Sequence, residues 1–294
     1  MVEDMNCCAA ATRVGAWRAI DDSLVAAVRL TAHLPDVECW DDPDLVLTCS
    51  PLPGRPSDIV RLRFELDSVE RRITSVEECF RRYGASPKWW LSPSTRPEDL
   101  AQRLEWRGFA HLAMLTGMVV RLPVPPSDID EPSGYELVEV RDGGPFNGVH
   151  PSFGNLTVDH AWGQLTTRVQ LSTLVPRRLW HFCACLAGTP VSTATLIAND
   201  SLAGIYDVAV APEARGRGIG TVVIHDLLRR ANSLGCRMAV VHATDGGAGV
   251  YRSIGFRSVC ELQVWGERTR NRSCGVVCRP DSAPPKAMYG GDSA

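Results

Sequence analysis

The stretch APEARGRGIGTVVIHDLLRRA, residues 211–231, decides the fold. It follows AGIYDVAV, 203–210, an apolar run that reads as a strand, and it leads into a helix expected over 219–234 with Val222, Val223, Leu227, Leu228, Ala231 and Leu234 on its buried side. Between strand and helix stands Arg215-Gly216-Arg217-Gly218-Ile219-Gly220. Small residues let the backbone bend around a ligand, and successive N–H groups at a helix N-terminus form an anion site suited to a pyrophosphate. Arg215 and Arg217 can add charge-assisted hydrogen bonds. The dinucleotide fingerprint G-x-G-x-x-G is not met, because Gly216, Gly218 and Gly220 are evenly spaced, and the lysine of a nucleotide-triphosphate loop is missing. The turn therefore calls for a pyrophosphate ligand other than a nicotinamide cofactor or ATP.

A second element lies one helix and one strand further on. In GVYRSIGF, 249–256, Tyr251 is followed four residues later by Gly255-Phe256. With both elements in view the sequence resembles the GNAT superfamily of N-acetyltransferases, whose coenzyme A loop, Arg/Gln-x-x-Gly-x-Gly/Ala, is matched by Arg215, Gly218 and Gly220. The resemblance implies a pair of strands that splay apart to admit the pantetheine arm, here IYDVAV (205–210) and RMAVVHA (237–243). It implies that the backbone of Val208, Ala209 and Val210 holds the pantetheine and polarises the thioester carbonyl. The turn from Arg215 through Gly216, Arg217, Gly218, Ile219 and Gly220 to Thr221 would hold the pyrophosphate. The donor implied is acetyl-CoA or a longer acyl-CoA, with no metal.

Catalytic roles follow from proton accounting. Tyr251 matches the family tyrosine that protonates the leaving thiolate; a thiol titrates near 8.5 and a tyrosine near 10, so a phenol supplies a proton without being charged at rest. The plain alternative is that Tyr251 packs under the second helix. An attacking amine must lose a proton, and Asp207 and His242, on the two facing strands, are the candidates to take it. His181 and the Asp159-His160-Trp162 cluster are further candidates. Where family members often carry Asn, this chain has ATDGG (243–247), with Asp245 expected as a helix cap. Direct attack needs no nucleophilic cysteine.

Working outward, LPVPPSDIDEPSG (122–134), with four prolines, reads as a linker. Before it, residues 18–32 read as an amphipathic helix, LVLTCS (45–50) and IVRLRFEL (59–66) as strands, 68–83 as a helix, KWWL (88–91) as a strand, 98–108 as a helix ended by Gly108, and the residues from Phe109 as a strand. Gly108-Phe109 echoes Gly255-Phe256, but RFELDS before the 68–83 helix offers no glycine turn. Residues 1–121 thus read as a degenerate copy of the domain expected over 135–267. The fold class expected is α/β with two tandem N-acetyltransferase-like domains, each a mostly antiparallel central sheet with flanking helices. Such tandem layouts occur in mycothiol synthase and in N-acyltransferases that tailor amino sugars of lipoglycopeptide antibiotics. After the linker come YELVEV (135–140), a partly helical stretch over 157–174, a hairpin through Gly188, and a final strand near 257–265. The tail over 268–294, rich in Pro, Gly and Ser, reads as disordered.

Composition bounds the function. A formal net charge of −3 gives no field for nucleic acid or an anionic membrane, and no apolar run is long enough to span a bilayer. The N-terminus MVEDMNCCAA lacks a signal peptide's layout, so a cytoplasmic protein is expected. Eleven cysteines, scattered, read as small buried hydrophobes of a reducing compartment, and Cys274-x3-Cys278 lacks a second pair for zinc. Trp89, Trp90 and Trp106 either wall an acceptor pocket or belong to the core. The expected activity is acyl transfer from acyl-CoA to an amine of a small molecule, an amino sugar of a natural product such as a glycopeptide antibiotic being one case. A protein amine, a non-catalytic acyl-CoA sensor and decarboxylation of an acyl thioester are the alternatives.

Overall fold

The computed structural model of the chain describes residues 2–52, 55, 57–126, 129–140, 171, 173–175 and 178–267, with backbone alone over 2–14. Helix α1 (Val2–Thr31) opens the chain, followed by β1 (Glu38–Asp41), β2 (Val46–Cys49) and β3 (Asp58–Val60). Then come α2 (Val69–Tyr83), β4 (Lys88–Leu91), α3 (Leu100–Trp106) and the long β5 (Phe109–Arg121). The second half runs β6 (Tyr135–Glu139), β7 (Leu179–Leu186), β8 (Thr189–Asn199), β9 (Leu202–Val210), α4 (Ile219–Ser233), β10 (Met238–Ala243), α5 (Asp245–Ile254) and β11 (Arg257–Glu267).

The eleven strands among the described residues form one sheet in the order β1-β2-β3-β4-β11-β5-β10-β9-β8-β7-β6. Each half contains one parallel pair, β3 with β4 and β9 with β10, and in each the chain runs strand, helix, strand, helix, strand from there. The halves are therefore two copies of one topology, and they interleave. β4 does not pair with β5, the strand that follows it; β11 from the other copy lies between them. β10 likewise pairs with β5 and not with its own β11. The antiparallel β5–β11 ribbon, from Val119↔Arg257 to Phe109↔Glu267, is the axis of this exchange. A mostly antiparallel central sheet was expected in each copy, and the two sheets join into one because the closing strand of each copy is supplied by the other.

Side-chain alternation divides the core into layers. Val46, Val60, Val240 and Leu262 point to the face covered by α1, where Ile20, Leu24, Val25 and Val28 meet them. Leu47, Ile59 and Trp89 point to the opposite face, under α2 and α3, and Ala239 and Val241 point to that same face under α4 and α5. Full burial of such a side chain contributes about 1.5–3 kcal/mol. Helix α1 packs tightly over Gly117 of β5, where an added Cβ would lie 2.8 Å from the Cys260 sulfur and 3.2 Å from Ile20. Only glycine lets helix and sheet approach this far.

Several local expectations shift. The first helix begins well before residue 18. The strand expected over 59–66 ends at Val60, because Arg61 takes φ 54°, a left-handed conformation that breaks the extended run. Asp245 is not the cap of α5; Thr244 holds that position and Asp245 stands in the first turn, where its charge complements the helix dipole. Leu234, expected on the buried side, follows the last turn of α4 and is exposed. The Asp159-His160-Trp162 cluster, Cys274, Cys278 and the 268–294 tail lie outside the described residues.

Candidate active site

The site begins where two strands part. β9 and β10 run in parallel register from Leu202↔Met238 to Ile205↔Val241, and there the pairing ends. β9 continues to Val210 against β8 alone, and β10 continues to Ala243 against β5 alone. The β10-facing edge of β9 beyond Ile205 thus lines a V-shaped opening. Val208, Ala209 and Val210 form that edge and are half-buried. A β-bulge marks the same place: Thr195↔Tyr206 and Thr193↔Ala209 are partners, so Ala194 of β8 opposes both Asp207 and Val208. Asp207 absorbs the extra residue with φ 53°, a conformation Asp tolerates better than most residues.

The glycine turn closes the wide end of the V. Pro212–Ala214 forms a single 3-10 turn, and Gly218 caps α4 with φ 76°. Val222 donates to the Gly218 carbonyl at 3.1 Å, which leaves the first-turn N–H groups of Ile219, Gly220 and Thr221 without acceptors inside the helix. The Ile219 side chain is buried in the core, so it anchors the helix start while its backbone faces outward. Arg215, Gly216 and Arg217 are exposed, and Arg215 ties the turn back to the strand through Nε donating to the Val210 carbonyl at 3.0 Å. An added Cβ at Gly218 would stand 3.0 Å from Ile129 of the connecting segment, while one at Gly220 would make ordinary contact with Val210.

Tyr251, on the last turn of α5, stands with its ring edge-on to Phe256, centroids 5.4 Å apart. Burial, reinforced by the charge of the Asp207 carboxylate, pushes its phenol up to about 12. Asp207 and Tyr251 therefore belong to one electrostatic neighbourhood. His242 lies elsewhere: it is the first residue of β10 beyond the last β9 partner, on the face beneath α1, with its ring 5.7 Å from Tyr206 and 6.2 Å from Trp90. Burial brings the imidazole down to about 4, partly offset by a hydrogen bond with the backbone of Ile20. As a residue His242 is half-buried, but its Nε2 is shut off from solvent and has no partner among the described residues. Tyr206 is fixed beside it by Ser23, whose Oγ is 2.7 Å from the phenol oxygen.

The first copy is closed at the equivalent point. Beyond β3 and β4, Arg96 N–H donates to Leu62 O at 2.8 Å and Phe64 N–H donates to Arg96 O at 3.0 Å, so the two segments stay stitched by the Arg63↔Arg96 bridge. No glycine stands in the turn before α2. A thioester arm has no free strand edge to join there. Of the tryptophans, Trp89 is core, Trp90 donates from Nε1 to Asp58 at 2.8 Å on the α1 face, and Trp106 is exposed. The sequence missed Thr195, which donates to Asp207 at 3.0 Å; nothing distinguishes it from Thr189, Ser192 and Thr193 of the same strand. Among the described residues no group of three or more His, Cys, Asp or Glu side chains could hold a metal ion.

Residues 155–256 match the acetyltransferase (GNAT) family. Among solved structures the chain is similar to a GCN5-related N-acetyltransferase from Kribbella flavida, at 16% identity over 84% of this chain and 95% of that one, TM-score 0.55. It is similar to a functionally unknown conserved protein from Staphylococcus epidermidis ATCC 12228, at 14% identity over 79% and 94%, TM-score 0.58. It is also similar to a tandem GNAT protein from the clavulanic acid biosynthesis pathway, at 15% identity over 79% and 83%, TM-score 0.51. No curated protein sequence matches. The second copy thus carries the match to the GNAT acetyltransferase family, and the chain as a whole shares its fold with these structures, a tandem GNAT protein among them.

Proposed function

We propose that this chain is an acyl-CoA-dependent N-acyltransferase, cytoplasmic, that moves an acetyl or longer acyl group onto an amine of a small molecule by direct attack in a ternary complex. The observation that carries the reading is the end of β9–β10 pairing at Ile205↔Val241, directly below the glycine turn of α4. A free strand edge and a helix N-terminus so disposed suit the two polar parts of a coenzyme A thioester, its amide arm and its pyrophosphate. The backbone of Val208, Ala209 and Val210 would hold the arm and the acyl carbonyl, and Arg215 to Thr221 the pyrophosphate. Tyr251, neutral across the physiological range, would give its proton to the departing sulfur. Asp207, within reach of Tyr251's field, would take the amine proton, ahead of His242, whose lowered basicity suits it less.

The first copy, residues 1–121, serves in this reading as a scaffold that lends β5 and α1, with 122–134 as the connector. A natural-product amine is favoured as acceptor by the tandem layout, which is shared with the protein of the clavulanic acid pathway. Calorimetric titration with acetyl-, octanoyl- and decanoyl-CoA, alongside thiol release with a panel of amines, tests the proposal. Saturable binding that prefers one chain length, with amine-dependent thiol release, is the expected result; no binding of any donor overturns it. Binding without amine-dependent release would favour the sensor.

A further inference from the structure

Three neighbouring strands carry one line of polar side chains through an otherwise apolar sheet. His181 of β7 and Thr195 of β8 are direct cross-strand partners, both essentially without solvent contact, and His181 Nδ1 lies 2.7 Å from Thr195 Oγ1. Thr195 is in turn opposite Tyr206 of β9, yet its hydroxyl donates to Asp207 Oδ2 at 3.0 Å. In an unbulged strand Tyr206 and Asp207 would point to opposite faces. The bulge and the positive φ of Asp207 bring its carboxylate back to Thr195. A second threonine, Thr193, donates to the Asp207 carbonyl at 3.1 Å and holds the backbone of the bulge.

Hydrogen counting gives the line a single direction. A carboxylate only accepts, and a threonine hydroxyl has one hydrogen, so while that hydrogen goes to Asp207 the oxygen must accept from His181. This requires the hydrogen on Nδ1 of the imidazole. We propose that Thr195 and His181 are positioning residues that lock one oxygen of Asp207 at the mouth of the splay, through the sequence His181 Nδ1–H to Thr195 Oγ–H to Asp207 Oδ2. The inference rests on the reading of Asp207 as the group that takes the amine proton. The buried pair restrains the carboxylate of the bulge residue through the Thr195 hydroxyl.

The test has two arms. In the first, imidazole 15N spectra of the full chain at neutral pH, with His181 assigned by its loss in His181→Asn, are expected to show the Nδ1–H tautomer; an Nε2–H tautomer overturns the proposal. In the second, thiol release from acetyl-CoA in the presence of the amine panel is compared across variants. Thr195→Val, nearly isosteric, is expected to lower kcat about 10- to 100-fold while KM for acetyl-CoA stays within about 2-fold, because a misplaced reacting group costs rate and not donor binding. Thr195→Ser, which keeps the hydroxyl, is expected to restore most of the rate. In an Asp207→Asn background Thr195→Val is expected to add nothing, since the two act as one unit. An equal loss in both backgrounds, or unimpaired Thr195→Val beside inactive Asp207→Asn, overturns the positioning role. Asp207→Asn as active as the parent retires Asp207 as the base, and with it the purpose of the line.

Discussion

At the scale of single residues, the site separates groups by the cost of charging them. Tyr251 is buried beside a carboxylate, so its phenolate is disfavoured twice over and the phenol keeps its proton. Tyr251→Phe is expected to leave acetyl-CoA affinity unchanged and to slow turnover roughly 10- to 1000-fold, as loss of a general acid does; calorimetry and thiol release check the two halves. His242 titrates in the opposite sense. Its folded value of about 4 lies below the ordinary 6.5, so near neutrality it costs nothing, and as pH falls below 6.5 the unfolded chain takes up a proton that the native imidazole resists. Stability is therefore lost between pH 6.5 and about 4, by up to roughly 3 kcal/mol from this residue. Denaturant midpoints of the parent and His242→Gln across that range are expected to converge only if glutamine's amide is tolerated against Ile20, whereas the acid-dependent slope itself is expected to be shallower in the variant.

At the scale of elements, the start of α4 shows how much local sequence reveals. The glycine turn, the buried stripe of α4 and the Tyr251 helix were all legible, because each depends on neighbours within a few residues. Gly218 belongs to the turn whose small residues are expected to bend around a ligand; its φ of 76° and the 3.0 Å approach of an added Cβ to the Ile129 side chain disfavour any side chain there as well. Gly218→Val is expected to weaken acetyl-CoA binding at least about 10-fold and to lower stability by about 1–2 kcal/mol, the cost of a left-handed branched residue. A titration and a thermal melt of the same sample separate the two effects. The bulge at Asp207 left no comparable mark. It arises because β8 and β9 differ by one residue in register between two partner pairs, and register belongs to the pair, not to either sequence.

At the scale of the whole molecule, the sequence indicated two copies but not their interleaving. Gly108-Phe109 and Gly255-Phe256 announced equivalent strands; which strand each would join was decided by contacts across more than a hundred residues, beyond the reach of periodicity. The exchange predicts that the halves do not stand alone. A fragment beginning at Leu122 lacks β4 and β5, which leaves β10 with β9 alone and β11 with no partner; it is expected to show no cooperative melt, and co-expression with residues 1–121 is expected to restore one. The stitched segment at Arg63–Arg96 predicts a donor stoichiometry of one acyl-CoA per chain, against two if the first copy were also open.

The interleaved sheet also sets a timetable for synthesis. β4 and β5 leave the ribosome long before β11, and until Arg257–Glu267 emerges the gap between them is vacant. At about 5–20 residues per second the nascent first half waits roughly 10–30 s with open strand edges, one on β4 and at first both on β5, the kind of surface that invites wrong pairing or a chaperone's attention. A strand made late is the one that completes the first half, so the sheet closes from the second copy back into the first.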